Sequence, residues 1–235
     1  GRMERKMIVA LNHKSNFTKD EILKYLEDYK NLNTYNHEMI LIPSVCYLPL
    51  IPDNITYASE DVSSKTMGAY TGEVTAKAIK SLGATYTLIN HSERTTKMNE
   101  NLEISKQKLE QAFSNDLIPI ICIGDTLEEH VRGTYVDKIK KDMDYLLSEI
   151  DKSKDFIIAY EPIFAIGTGI VPTNLDIEKV TTMLKETYQK KVLYGGSANE
   201  NNIDELKQVK NIDGFLLGGI SLKLSSLQEF LDKLQ

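Results

Sequence analysis

Side chains that could do chemistry follow several apolar, strand-like segments of this chain. The clearest is Glu161, which comes directly after the apolar residues 156–160. The next segment, residues 163–170, is mostly apolar and yet includes Gly167 and Gly169. A segment of this composition that bends at its glycines would cover a carboxylate and exclude water from it. The alternative is a buried strand end with an ion-paired glutamate, followed by a loop packed on the core.

Polar side chains that could do chemistry also follow two other apolar segments. Asn12 and Lys14 follow residues 7–11, and their spacing of two lets both side chains point the same way from an extended backbone. His91 and Glu93 follow another apolar segment. A lone lysine, histidine or glutamate is usually solvated or paired. Because such groups recur at strand ends, we expect them to share one site.

Two glycine pairs indicate an anion site. Gly195-Gly196-Ser197 and Gly218-Gly219 each follow a short apolar segment. Glycines let backbone N–H groups approach an anion closely, and barrels often hold phosphate at the loops after their seventh and eighth strands. Two tight turns are the alternative interpretation of these pairs.

Eight short apolar segments must position these groups. They lack the alternation of half-exposed strands and are separated mostly by helical patterns, which predicts parallel strands with helices outside them. The predicted strands are residues 7–11, 39–42, 55–58, 85–89, 118–123, 156–160, 192–194 and 214–217.

The predicted helices complete a repeating unit of strand and helix. The first predicted helix begins near the capping box of Thr18 and Glu21. One helix follows Asn174, and the last begins near Leu224. The others cover residues 73–82, 102–114, 126–150 (interrupted at Gly133) and 203–209. Eight such units in 235 residues fit a closed parallel (β/α)8 TIM barrel. We expect one domain over residues 1–235, in which Gly1 and Arg2, ahead of Met3, are a cloning remnant.

The amino-acid composition and net charge limit which classes of protein this chain can belong to. Hydrophobic residues make up 41% of the chain, which is enough for a sizeable core. The net charge of −6 argues against nucleic acid and against an anionic membrane surface as partners, although it permits a local basic pocket. No apolar run approaches the ~20 residues of a membrane span, and no signal peptide is visible.

Cysteine and histidine positions add three expectations. Cys46 and Cys122 lie in apolar segments and are predicted to be buried thiols, not a disulfide or a metal site. A reducing cytoplasm is therefore the expected location. His37 and His130 lie in polar segments and are predicted to be surface residues.

Six motifs together resemble the triosephosphate isomerase family. They occur in that family's order and spacing from residue 7 to about residue 222, and the block that begins at Glu161 and Pro162 is the most specific. The motifs are Asn12-His13-Lys14, His91-Ser92-Glu93-Arg94, Cys122-Ile123-Gly124-Asp125, the run from Ala159 to Gly169, Tyr194-Gly195-Gly196-Ser197 and Gly214-Phe215-Leu216-Leu217-Gly218-Gly219.

The resemblance implies an enzyme of glycolysis and gluconeogenesis that interconverts dihydroxyacetone phosphate and glyceraldehyde 3-phosphate. A proton moves between adjacent carbons through an enediol(ate), without a metal or an organic cofactor. By resemblance, Glu161 is the base, His91 is the neutral electrophile that polarises the carbonyl, and Lys14 supplies positive charge. Asn12 would donate a hydrogen bond to a substrate oxygen, and Glu93 would position Lys14.

The resemblance also implies where the phosphate and a second subunit bind. Backbone N–H groups of Gly167, Ser197, Gly218 and Gly219 would bind the substrate phosphate, under a lid formed by residues 163–170. The segment 67–73 resembles a loop that reaches into a partner subunit. This implies a homodimer in which Thr71 lies near the partner's active site and supports its Asn12 and Lys14. An N-cap role for Thr71 is the alternative.

Several residues depart from the family pattern. His13 and Phe164 stand where the family commonly has tryptophan, and Ile170 stands where it commonly has lysine. Asn90, Thr95 and Asp125 also differ from the usual residues. None of these changes removes a chemical group named above. The alternatives are another cofactor-free phosphosugar isomerase or lyase on the same fold, and a non-catalytic barrel that binds a phosphorylated ligand or serves as a scaffold.

Overall fold

The structure, a computed structural model, describes residues 5–151, 153–166 and 172–235. Its strands form one parallel sheet in the order β2-β1-β8-β7-β6-β5-β4-β3. An isolated parallel bridge between Leu41 of β2 and Tyr57, the residue before β3, links the two edges of the sheet and nearly closes the barrel. The strands are β1 (Ile8–Asn12), β2 (Glu38–Ile42), β3 (Ala58–Ser59), β4 (Tyr86–Ile89), β5 (Ile118–Gly124), β6 (Ile157–Glu161), β7 (Val192–Tyr194) and β8 (Gly214–Leu217). The predicted (β/α)8 TIM barrel is confirmed.

Helices connect the strands and cover the outside of the sheet. The α-helices are α1 (Lys19–Tyr29), α2 (Ala76–Ser81), α3 (Ser92–Lys97), α4 (Leu102–Ser114), α5 (Leu127–Arg132), α6 (Tyr135–Leu146), α7 (Asn174–Tyr188), α8 (Ile203–Leu206) and α9 (Leu224–Leu234). Short 3₁₀ helices cover Val45–Leu50, Ile163–Ala165 and Gly219–Leu222. No helix in the described part of the chain is long and apolar enough to span a membrane.

Several boundaries differ from the predictions, and two of the differences have clear local reasons. The prediction places the third strand at residues 55–58, but the N–H of Ile55 bonds the carbonyl of Pro52 in a turn, so β3 begins only at Ala58. The helix predicted for residues 73–82 begins at Ala76, because the Thr75 hydroxyl accepts the N–H of Ala78 and caps it there.

The strands bury both faces. Ile8 and Ala10 of β1 belong to a cluster made of strand residues in the barrel interior, whereas Val9 and Leu11 pack with the helices. This arrangement explains why the strands show no polar alternation in the sequence. Cys122 lies in the interior cluster, as predicted.

Two single-residue predictions are wrong. Cys46 is exposed, because it lies in the 3₁₀ helix Val45–Leu50 and not in a strand. His37 is buried, and its Nδ1 accepts the N–H of Met7 at 3.0 Å, which ties the turn before β2 to the start of β1.

Candidate active site

Parallel pairing brings the predicted catalytic side chains to one edge of the barrel. Asn12 is the last residue of β1, Glu161 is the last residue of β6, and His91 follows β4 by two residues. All three side chains are buried. The structure therefore gathers residues that are up to 149 positions apart in the chain (161 − 12) at the face where barrels of this type carry their sites.

Glu161 is held by two donors from one residue. Its Oε1 accepts the N–H of Ser92 at 3.1 Å, and its Oε2 accepts the Ser92 hydroxyl at 2.8 Å. Its Oε2 also lies 3.2 Å from Nε2 of His91. The sequence reasoning missed Ser92. Its place between His91 and Glu93 was the only signal, and nothing in the sequence shows that it reaches Glu161.

The His91 ring has a defined tautomer. His91 is the N-cap of α3, and its Nδ1 accepts the N–H of Glu93 at 3.1 Å. A nitrogen that accepts a hydrogen bond carries no proton, so the proton of the neutral ring lies on Nε2. Nε2 is also the atom that faces Asn12 and Glu161, at 3.4 Å and 3.2 Å. The ring thus presents an N–H donor to the centre of the site.

Asn12 and Lys14 are arranged by a tight local turn. The amide oxygen of Asn12 accepts the N–H of Lys14 at 3.0 Å, and Lys14 has a left-handed φ of 56°. The ammonium of Lys14 pairs with Oε1 of Glu93 at 2.9 Å. Partial burial raises the pKa of Glu93, but the hydrogen bond and charge of Lys14 outweigh it and leave that pKa below its ordinary value. Because both side chains are partly exposed, the pair orients Lys14 more than it stabilises the fold.

Three glycines keep space for Glu161 and Lys14. A Cβ at Gly124 would lie 1.9 Å from the carbonyl oxygen of Glu161, and one at Gly195 would lie 3.1 Å from its Cγ. A Cβ at Gly218 would lie 3.3 Å from Nζ of Lys14. The loop after β8 therefore passes directly beside the lysine ammonium.

The other predicted anion-binding groups lie in the loops after β7 and β8. A Cβ added to Gly219 would meet nothing within 4 Å. Ser197 is exposed, and its carbonyl accepts the side-chain amide of Asn202 at 2.7 Å, which fixes the loop after β7. Gly167, predicted to be a third phosphate ligand, lies outside the described residues, as do residues 168–170 of the predicted lid.

Behind His91, a polar network ties the loop after β4 to two other elements. Asn90, which replaces the family's usual glycine, adopts a left-handed φ of 64°. Its amide donates to the carbonyl of Cys122 at 2.9 Å and accepts from the Ser105 hydroxyl at 2.8 Å. Ser105 also bonds Glu100, which pairs with buried Lys108. Asparagine tolerates this backbone conformation better than most residues.

Residues 61–75 form a long loop with exposed apolar side chains. Met67 is 62% exposed and Tyr70 is 46% exposed, and Thr71 between them and α2 is also exposed. A cleft of ≈ 920 Å³ lies nearby, lined among others by Lys14, Val45 and residues of this loop. In the described ranges, no group of three or more His, Cys, Asp or Glu residues is arranged to hold a metal ion.

Comparisons with known proteins find one family over nearly the whole chain. The family described as Triosephosphate isomerase matches residues 7–234. A triosephosphate isomerase from Mycoplasmopsis pulmonis is 34% identical over 242 residues, which cover 97% of each chain. One from Candida albicans is 33% identical over 98% of each chain, and one from Mesomycoplasma hyopneumoniae is 38% identical over 92% of this chain and 95% of its own.

Proposed function

Because the chain belongs to the triosephosphate isomerase family, we propose that the residues gathered at the strand ends carry out that family's reaction. The reaction interconverts dihydroxyacetone phosphate and glyceraldehyde 3-phosphate in glycolysis and gluconeogenesis. It is an intramolecular aldose–ketose isomerisation, in which a proton leaves one carbon and another is delivered to its neighbour through an enediol(ate). The substrate is a small triose phosphate.

In the proposed mechanism, Glu161 removes the carbon-bound proton. Its carboxylate is almost wholly buried (3% exposed), so little water competes for it. The Ser92 hydroxyl and N–H orient the two carboxylate oxygens. The Nε2–H of His91 donates to the carbonyl oxygen of the substrate and stabilises the negative charge that develops there.

Lys14 and Asn12 complete the electrostatic part of the site. The Lys14 ammonium is fixed by Glu93 beside Gly218, so it can attract both the enediolate and the phosphate. The Asn12 amide lies beside His91 and donates to a substrate oxygen. Backbone N–H groups of Ser197, Gly218 and Gly219 would bind the phosphate, with Gly167 as a further donor.

One observation supports this mechanism most strongly: Glu161 at the end of β6 and Asn12 at the end of β1 both lie within 3.4 Å of Nε2 of His91, which follows β4. A coupled assay with glyceraldehyde 3-phosphate tests it, and inorganic phosphate should inhibit competitively. A chain that binds phosphate but does not turn over the substrate would instead favour the scaffold alternative. The lyase alternative needs a Schiff-base lysine at a strand end, and β5, β6 and β7 contain no lysine.

We further propose that residues 1–235 act as one barrel domain that forms a homodimer. Exposed apolar side chains on one loop usually mark an interface. Met67 and Tyr70 on the loop are such side chains, and Met98 (60% exposed) lines the cleft beside Lys14. Insertion of the loop into the cleft of a second copy would bring Thr71 near the partner's active site.

Light scattering tests the dimer with a matched pair of substitutions, each of which introduces one negative charge. Met67→Glu should give a monomer and reduce kcat by more than about tenfold, because Lys14 would lose its support from the second subunit. Leu23→Glu places the same charge on the exposed face of α1 and should leave a dimer of unchanged activity. A dimeric Met67→Glu protein would contradict the proposed interface.

A further inference from the structure

A histidine outside the proposed catalytic set packs against the segment that follows Glu161. The His130 ring on α5 stacks on Phe164 with 4.0 Å between ring centroids and 17° between ring planes. Phe164 is 3% exposed and lies in the 3₁₀ helix Ile163–Ala165, directly after Glu161 and Pro162. The His130 side chain is 20% exposed, so the prediction of a surface position is only partly correct.

Carboxylates from two other elements face the same ring. Nδ1 of His130 lies 3.4 Å from Oδ2 of Asp125, which precedes α5, and Nε2 lies 3.5 Å from Oδ2 of Asp176 in the first turn of α7. The Tyr135 ring of α6 is the third neighbour, at 4.8 Å between centroids. Each ring nitrogen thus lies near a carboxylate oxygen, while the face of the ring packs on Phe164. One side chain therefore joins three helices to the segment after Glu161.

Asp125 extends this cluster to both sides of Glu161. Its Oδ1 accepts the hydroxyl of Tyr160, the residue before Glu161, at 2.8 Å. Its backbone carbonyl accepts the N–H of Phe164, three residues after Glu161, at 3.0 Å. Burial raises the pKa of the Asp125 carboxyl to about 6, although the Tyr160 hydrogen bond and the charge of His130 oppose the rise.

We propose that His130 is a positioning residue for the isomerisation. Placed between Asp125 and Asp176 and stacked on Phe164, it fixes Phe164, and through Phe164 it fixes the backbone that carries the Glu161 carboxylate. The inference rests on the proposed role of Glu161 as the base. A misplacement of about 1 Å can cost a hundredfold in rate. Loosening the backbone after Glu161 therefore lowers kcat more than it raises KM, because Glu161 acts on a carbon-bound proton and not on the phosphate.

Two substitutions of His130 test whether a planar group that stacks on Phe164 and faces both carboxylates is needed. His130→Gln removes the ring and keeps a polar side chain of similar size, and it should lower kcat about tenfold with KM within about twofold. His130→Arg supplies a planar cation that stacks on aromatic rings and pairs with carboxylates, and it should restore kcat to within about twofold of the parent. Val131→Ala, at an exposed neighbouring position on α5, is the control for disturbance of the helix and should match the parent.

A double-substitution cycle with Phe164→Leu tests the route of the effect. If His130 acts through the ring stack, His130→Gln should lower kcat less than about twofold further in the Phe164→Leu background. Fully additive losses would overturn the inference. So would a His130→Gln enzyme that melts earlier but keeps the parent kcat and KM, since that result marks a purely structural role. A parent with no isomerase activity would overturn the proposed function itself.

Discussion

The buried ring of His13 lowers the stability of the folded protein at acid pH. Its side chain is fully buried, its nitrogens have no hydrogen-bond partner among the described residues, and Phe17 and Tyr25 pack against it edge-on. Burial lowers the pKa of His13 from 6.5 to about 4. The unfolded chain therefore binds a proton below pH 6.5 that the folded chain binds only near pH 4. Falling pH through this window removes stability from the folded state.

The size of the effect follows from this difference in pKa. One pKa unit corresponds to about 1.4 kcal/mol, so His13 lowers the free energy of unfolding by about 2 kcal/mol at pH 5 and about 3 kcal/mol at pH 4, relative to neutral pH. The side chain has no exposed surface, so solvent screening does not reduce these values. His13→Phe removes both the titration and the two unpaired nitrogens.

Urea unfolding at fixed protein concentration, at pH 7.5, 6 and 5, measures this effect. The stability advantage of His13→Phe over the parent should grow by about 2 kcal/mol between pH 7.5 and pH 5. His13→Gln buries a polar group that does not titrate, so it should be less stable than His13→Phe at every pH and parallel to it. Equal losses of free energy in the parent and in His13→Phe over this range would refute the reasoning, because the carboxylates are common to both.

Three further predictions concern the site and its surroundings. Gly195→Ala should lower kcat about tenfold with little change in KM, as measured by steady-state kinetics. The new Cβ would lie 3.1 Å from Cγ of Glu161 and must displace it by several tenths of an ångström. Ser92→Ala removes a donor to Glu161 and should also lower kcat about tenfold in the same assay. Burial and the charge of Glu93 raise the pKa of Glu60 in the folded protein to about 8. The folded state therefore loses stability as the pH rises from about 4.5 to 8, because the unfolded chain releases this proton first. Glu60→Gln should therefore raise the melting temperature by several degrees more at pH 8.5 than at pH 5, and an equal gain at both would contradict this.

The barrel was predictable because its strands are buried on both faces. Segments such as β5 and β6 are apolar at nearly every position, and this property is visible without any partner residue. β3 was misplaced because it has only two residues, and the turn at Pro52 that delays it depends on a backbone hydrogen bond. Cys46 was misjudged because an apolar run in a 3₁₀ helix has the same composition as a buried strand.

The candidate site was only partly predictable. Glu161 and His91 stand at strand ends, so their common location follows from parallel topology. The partner that orients Glu161 is Ser92, 69 residues away, and no local pattern encodes that contact. The stack of His130 on Phe164 is hidden for the same reason, because it depends on how α5 packs against the segment after β6. Topology can be inferred from local patterns, whereas side-chain partners require the packed structure.

Replacement of Glu161 by glutamine tests the central claim most directly. Glutamine keeps the size of the side chain and can still bond Ser92, but it cannot remove a proton from carbon. The account predicts that Glu161→Gln lowers kcat by at least about a thousandfold, while the competitive inhibition constant of inorganic phosphate changes by less than about threefold. A loss of kcat smaller than about a hundredfold would contradict the assignment of Glu161 as the base.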